Sequence, residues 1–173
     1  MKSAPPTSNE AQMLACIPSL RRYARALIGE RTAADDLVQD TLGRAWARIG
    51  SWRQGGNMRA WLFGIMHNVH VDQLRKPRLA IEDASDEDFE MQTRATQSDR
   101  LELRDIEAAL YRLPEEQRQV LLLVALEELS YEEVAQALHI PLGTVMSRLS
   151  RGREKLRVLM NGRSQPRPLK VIK

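Results

Sequence analysis

The sequence is short of several things, and each shortage narrows what the chain can be. Aromatic residues make up 5% of its 173 residues, with two Phe, three Tyr and three Trp. A core must therefore be assembled from Leu, Ile, Val, Ala and Met. Ala, Leu, Met, Arg, Glu and Gln lose little on entering a helix, and few stretches show the alternation of β-branched and polar residues that marks a half-buried strand. The expected fold is all-α. A single cysteine, Cys16, excludes an internal disulfide and suits a reducing, cytoplasmic setting. No sequence neighbour activates it, so it reads as a small core residue. No signal-peptide run opens the chain, and none reaches the ~20 apolar residues that span a bilayer, so membrane insertion is not expected.

Catalytic signatures are equally scarce. There is no Gly-x-x-x-x-Gly-Lys phosphate loop and no Gly-x-Ser-x-Gly elbow. His67 and His70 lie three apart on a helix, but no cysteine cluster or carboxylate at ligand spacing accompanies them. No catalytic residue, cofactor or metal is expected.

What is present is charge, unevenly placed. The net charge of +3 conceals eleven Lys/Arg against five Asp/Glu in residues 19–78, and two against seven in residues 79–100. A basic stretch beside an acidic one points to polyanion contact on one part of the chain, although most basic faces are merely solvated.

The apolar pattern divides the chain in two. The opening Pro-Pro-Thr-Ser-Asn stretch reads as frayed. Pro18 suits a first helical turn, and Leu20, Tyr23, Ala24 and Leu27 recur at helical spacing up to Gly29. Thr32 with Asp35 has the form of an N-cap and its acid, followed by a stripe of Val38, Leu42, Ala45 and Ile49. Asn57 can cap a third helix with Met58, Leu62, Ile65 and Val69 inward, ending near Arg75 because Pro77 disfavours helix before it. Residues 77–98 are an acidic, unperiodic linker. A second block starts near Asp99, with Leu103, Ile106 and Leu110 on one face. Leu113-Pro114 interrupts it, and Val120 to Leu126 reads as an apolar helix core. Two small helical domains result, residues 1–76 and 99–160, joined by a flexible linker and followed by a basic, disordered tail, 161–173.

The strongest local signal is the run from Ser130 to Leu149. Ser130 and Glu133 form a capping box, Ile140-Pro141 a turn, and a last helix carries Val145, Leu149, Leu156 and Leu159 inward. This is helix-turn-helix grammar, with Ala135 small where the helices cross. In such units the second helix enters the major groove. Its outward side chains are Thr144, Met146, Ser147, Arg148, Ser150, Arg151 and Lys155, groups able to meet phosphates or base edges. The plainer alternative is a helical hairpin with a solvated basic face.

Three stretches of this block, Leu113–Leu123, Leu129–Ala135 and Ile140–Leu149, closely resemble the fourth conserved domain of extracytoplasmic-function sigma factors. Independently, Asp36–Trp46 and Asn57–Asn68 resemble that family's second domain. The matches stand in the right order and cover about residues 18–160. The resemblance implies a non-enzymatic factor that binds RNA polymerase core, through the β′ clamp and the β flap, and directs it to promoter DNA. An anti-sigma factor is a further implied partner. Helix 33–49 corresponds to the core-binding helix, with Asp36, Gln39, Asp40 and Arg44 spaced along one side. Residues 51–68 correspond to the element that reads the melted −10 sequence, where stacking and edge hydrogen bonds hold an exposed base. Its candidates are Trp52, Arg53, Gln54, Asn57 and Asn68, with Arg59, Arg75, Lys76 and Arg78 toward phosphates. Trp61 reads as a core anchor; Trp52 can be core or stacking platform. The acidic linker is either a transcript mimic or a plain tether.

This sequence departs from the family pattern at Met146, where a cation is usual, at His139, where Gly is usual, and at Gly152, where Ala is usual. Two other functions deserve weighing. A regulator that mimics a sigma factor to titrate its inhibitor carries a receiver domain, for which this chain has no room. A stand-alone helix-turn-helix repressor leaves the first-block matches unexplained. The Asn57–Phe63 run is reminiscent of the family's general-stress subgroup.

Overall fold

A computed structural model describes residues 8–53, 55–76 and 97–162, with side chains in the second block from residue 100. Residues 1–7, Gln54, 77–96 of the acidic linker and 163–173 of the basic tail lie outside the described residues. Of the opening stretch read as frayed, Ser8 and Asn9 instead begin a helix, and of the tail read as disordered, Asn161 and Gly162 close the last one. Within them, the ordered elements are all helical. The first block contains α1 (Asn9–Ala15), α2 (Ile17–Ile28), α3 (Arg31–Arg48), a 3₁₀ turn (Ile49–Ser51) and α4 (Met58–Arg75). The second contains α5 (Gln97–Tyr111), α6 (Glu115–Leu121), a π turn (Leu122–Leu126), α7 (Tyr131–Leu138) and α8 (Leu142–Asn161).

Local chemistry explains most boundaries. Helix α1 was not anticipated; it is one short segment capped by Ser8 and anchored by Met13 alone. Helix α2 buries Leu20, Tyr23, Ala24 and Leu27 and stops at Gly29, whose φ of 83° suits only glycine without strain. The expected cap at Thr32 is corrected to Glu30. Its carboxylate accepts from the N–H groups of Ala33 and Thr32, which hold it below the usual carboxylate range. An anion there also complements the positive helix end, and Thr32 falls within the first turn. Helix α3 buries Leu37 and Thr41 besides Val38 and Ala45, while Leu42 and Ile49 are only half-buried.

Helix α4 buries the anticipated Met58, Leu62, Ile65 and Val69, and in addition Phe63, Met66 and His70. The second set exists because α4 is covered twice, by α3 on one side and by α7 on another. In the second block, the expected inward face at Leu103 and Ile106 is corrected. These residues are 37% and 39% exposed, because α5 meets the core only near Ala109, Leu110 and Leu113. The apolar run Val120–Leu126 is not one regular helix. It passes from α6 into the π turn, where the Glu127 N–H donates to the Leu122 carbonyl. Glu127 is thereby turned inward and becomes fully buried, and Glu128 follows with a left-handed φ of 55°. Helix α7 carries both halves of the capping box and ends at His139, left-handed at φ 53°.

The two blocks pack on each other, and their buried residues form one apolar cluster. Glu127 bridges to Arg22 on α2 through two bonds of 3.0 and 2.9 Å, and to Arg59 on α4 at 3.3 Å. Arg59 also donates to the Glu127 carbonyl. His70 Nε2 lies 2.7 Å from Glu115 Oε1, and the Tyr111 hydroxyl donates to the Arg25 carbonyl at 3.0 Å. Helices α4 and α7 cross at Gly64, where a Cβ would sit 3.6 Å from the Ala137 Cα.

Gly152 takes on a new meaning in this packing. It is buried on α8, and a Cβ there would lie 2.9 Å from Leu121 Cδ1. A glycine that only lowered helix propensity would give back ~1 kcal/mol when replaced by Ala. Here Gly152→Ala should return clearly less, and Gly152→Val should cost about 1–3 kcal/mol through overpacking. Denaturant unfolding of the two variants measures both. The interface also carries a pH dependence. Burial pushes the His67 imidazole below its ordinary value, and electrostatic repulsion from the neighbouring His139, His70 and Arg148 adds to this against the pull of Glu115. The unfolded chain therefore binds that proton more readily, and stability is lost as pH falls below about 6.5. Between about pH 7.5 and about pH 5.5 the wild type should lose more stability than His67→Gln. Equal losses would contradict the assignment.

Candidate nucleic-acid interface

The last helix presents the better-formed face. Val145, Leu149 and Gly152 turn inward, so Met146, Ser147, Ser150 and Arg151 turn outward, with Met146 52% exposed. Thr144 flanks this face half-buried, its carbonyl accepting from the Ser147 hydroxyl at 3.1 Å, and Lys155 flanks it exposed. Arg148 turns toward α6, where it pairs with Glu116 at 3.2 Å and keeps 24% of its side chain exposed. Further along, Arg157 pairs with Glu154. A groove of ≈ 350 Å³ runs between Tyr131 at the start of α7 and Met146, Ser150 and Arg153 on α8.

The loop between α3 and α4 makes a second site. Trp52 and Trp61 lie with ring centroids 5.0 Å apart and a tilt of 43°, both half-buried, so each is part core and part wall. Gly56 lies against the Trp52 ring, where a Cβ would come within 2.9 Å. Around this pair is a cavity of ≈ 480 Å³, to which Asn57, Asn68 and Arg48 contribute. The structure thus brings together Trp52, Asn57 and Asn68. Asn57 Oδ1 accepts from the N–H groups of Arg59 and Ala60, capping α4. Arg53 is exposed outside the cavity lining, and the Arg59 guanidinium is committed to Glu127. Arg75 and Lys76 are exposed at the far end of α4, about 25 Å along its axis.

The other wall of the cavity escaped sequence reasoning. It is made by Glu133, Gln136, Ala137 and His139 of the second block. Nothing local in the sequence signals that pairing, since Asn57 and Glu133 are 76 residues apart.

On α3, Asp36, Gln39, Asp40 and Arg44 are all exposed. Asp40 accepts from Gln73 Nε2 at 2.9 Å, and Arg44 pairs with Asp72 at 2.8 Å. The hydrogen bond from Arg44 holds the Asp72 carboxyl low. Trp46, not singled out from the sequence, is 56% exposed on the same helix; its place off the 38–42–45–49 stripe was the available signal. Among the described residues no cluster of three or more His, Cys, Asp or Glu could hold a metal, and His70 is committed to Glu115. Cys16 is buried, and burial raises its thiol pKa. None of the described helices is long and apolar enough to cross a membrane.

Comparison with known proteins agrees with this two-part layout. Residues 13–67 match the family described as the Sigma2 domain of PhyR, and residues 103–156 match Sigma-70, region 4. The chain is 42% identical over 149 residues to the ECF RNA polymerase sigma factor EcfG of Rhodopseudomonas palustris, covering 86% of this chain and 82% of that one. Among solved structures it is similar to the sigma factor RpoE of Bartonella quintana, crystallised with the anti-sigma factor NepR. That match has a TM-score of 0.68 and 32% identity, covering 88% of this chain and 96% of that one. CnrH, solved with the cytosolic domain of CnrY, matches with a TM-score of 0.66 and 27% identity over 90% of this chain and 89% of its own. On its two domain matches and its identity to EcfG over most of both chains, this protein belongs to the extracytoplasmic-function RNA polymerase sigma factors.

Proposed function

We propose that this chain binds RNA polymerase core and directs it to promoters, reading −35 duplex with α8 and the melted −10 strand with residues 51–68. Residues 1–76 act as sigma domain two and residues 99–160 as sigma domain four. It carries out no reaction of its own. The observation that carries this reading is the convergence of Trp52, Asn57 and Asn68 on one aromatic-walled cavity, in a chain whose α8 also presents an outward polar face. An aromatic wall holds a base by its π-face, and amide groups meet its edge. On α8, Ser147 and Arg151 are suited to phosphate or base contact.

Core docking is assigned to the exposed side of α3, with Asp36, Gln39, Asp40 and Arg44 toward the β′ clamp and Trp46 beside them. The second domain is assigned to the β flap. An anti-sigma factor is assigned as a further partner, with support from the similar sigma factor RpoE, solved with the anti-sigma factor NepR. The test of function is transcription from a randomised promoter library with core polymerase and this chain. Initiation at a defined −35/−10 pair is expected. A chain that bound an anti-sigma factor but never started transcription would instead be a sigma mimic. One that bound duplex DNA but neither bound core nor started transcription would be a repressor.

Met146 gives the reading a sharper edge. A thioether on the outward face can make only apolar contact, for instance with a thymine methyl. Met146→Arg should therefore raise affinity for −35 duplex. If the new contact is to phosphate, the slope of log K against log salt should steepen by about one unit. If it is to guanine, preference at one base pair should shift by roughly 1–3 kcal/mol. No change in affinity, slope or preference would mean that residue 146 does not face DNA.

A further inference from the structure

Two of the groups assigned above to the −10 strand are already bonded, and each bond is to a carboxylate of the second domain. Asn57 Nδ2 donates to Glu133 Oε1 at 2.6 Å. Its Oδ1 is taken by the α4 cap, so only the second Nδ2 hydrogen is left to meet a base edge. Arg59 is held by the side chain and the carbonyl of Glu127. Between these two points α7 crosses α4 at backbone distance, Gly64 against Ala137, and Gln136 and His139 close the far side of the Trp52–Trp61 cavity. A DNA strand would bring phosphates to a rim that now carries the Glu133 carboxylate. The recognition face of α8 is under no such constraint, since Met146, Ser147, Ser150 and Arg151 all remain exposed.

We propose that the packed form of the isolated chain is autoinhibited on one side only: α7 roofs the −10 cavity, with Glu133 standing where the melted strand would bind and Glu127 holding Arg59, while the −35 face stays open. The order of promoter engagement follows from this. Duplex −35 DNA can bind the closed chain, whereas the −10 strand must await separation of α7 from α4. The apparent affinity for that strand is scaled down by the fraction of open molecules. The inference rests on the assignment of residues 51–68 to the −10 element.

The roof can be lifted from outside the DNA-binding residues. Ala137→Leu places a branched side chain against the α4 backbone at Gly64, and Arg22→Ala removes one of the two guanidiniums holding Glu127, from the other side of the contact. Both are measured in the full chain against a single-stranded −10 oligonucleotide and a −35 duplex, taken from a promoter at which the holoenzyme initiates. Ala137→Leu is expected to bind the single strand about tenfold tighter, as for a chain initially about nine-tenths closed, with −35 affinity unchanged. Arg22→Ala should move in the same direction and serves if Ala137→Leu does not fold. Asn57→Ser, which keeps the helix cap but loses the Nδ2 donor, should remove part of the gain in the Ala137→Leu background. If single-strand binding responds to Asn57→Ser but neither opening variant tightens it, the roofing is wrong. If it ignores Asn57→Ser in both backgrounds, the −10 assignment itself falls.

Discussion

Much of this structure depends on one buried carboxylate. Removing an ionised Glu from water costs several kcal/mol, and the cost is tolerable only where opposite charge and hydrogen bonds surround it. Glu127 has no exposed surface, and its partners Arg22 and Arg59 come from two different helices of the other domain. The π turn before it and the left-handed Glu128 after it are the backbone's means of delivering that side chain inward. Once it is in place, the two domains share one apolar cluster, and α4 becomes a helix with two buried faces.

That arrangement decides what each surface can do. The first domain spends four of the chain's eight aromatic residues on two pairs. Tyr23 and Phe63 meet edge-on inside, at 5.1 Å and 68°, while Trp52 and Trp61 form the half-exposed pair beside the α3–α4 loop. An edge-on buried pair stiffens the junction of α2 and α4. The second domain contributes a wall with the Glu133 carboxylate to the Trp52–Trp61 cavity and keeps the polar face of α8 turned outward. Opposite charge is thus used twice, once within the chain and once, on the proposed reading, toward DNA.

A good part of both the fold and the candidate site was legible in the residues. The Asn57 cap, the Ser130–Glu133 box, the inner stripe of α4 and the outward position of Met146 all depend on spacings of two to four residues. Such spacings act within one or two helical turns, where neighbours in sequence are neighbours in space. The Glu30 cap was missed for a related local reason: a carboxylate two residues earlier outcompeted the hydroxyl of Thr32. Leu103 and Ile106 misled because helical periodicity marks an apolar face without saying whether anything covers it.

The sequence by itself therefore determined most of the helices, most of their caps and apolar sides and, through two motif matches, the family. Tertiary structure alone decided the partners. Arg59 meets Glu127 across 68 residues, Arg22 meets it across 105, and Asn57 meets Glu133 across 76. A charge in a sequence carries no label for the opposite charge it will find. That choice is made by which helix faces come together, and by the free-energy cost of leaving a carboxylate dry and alone.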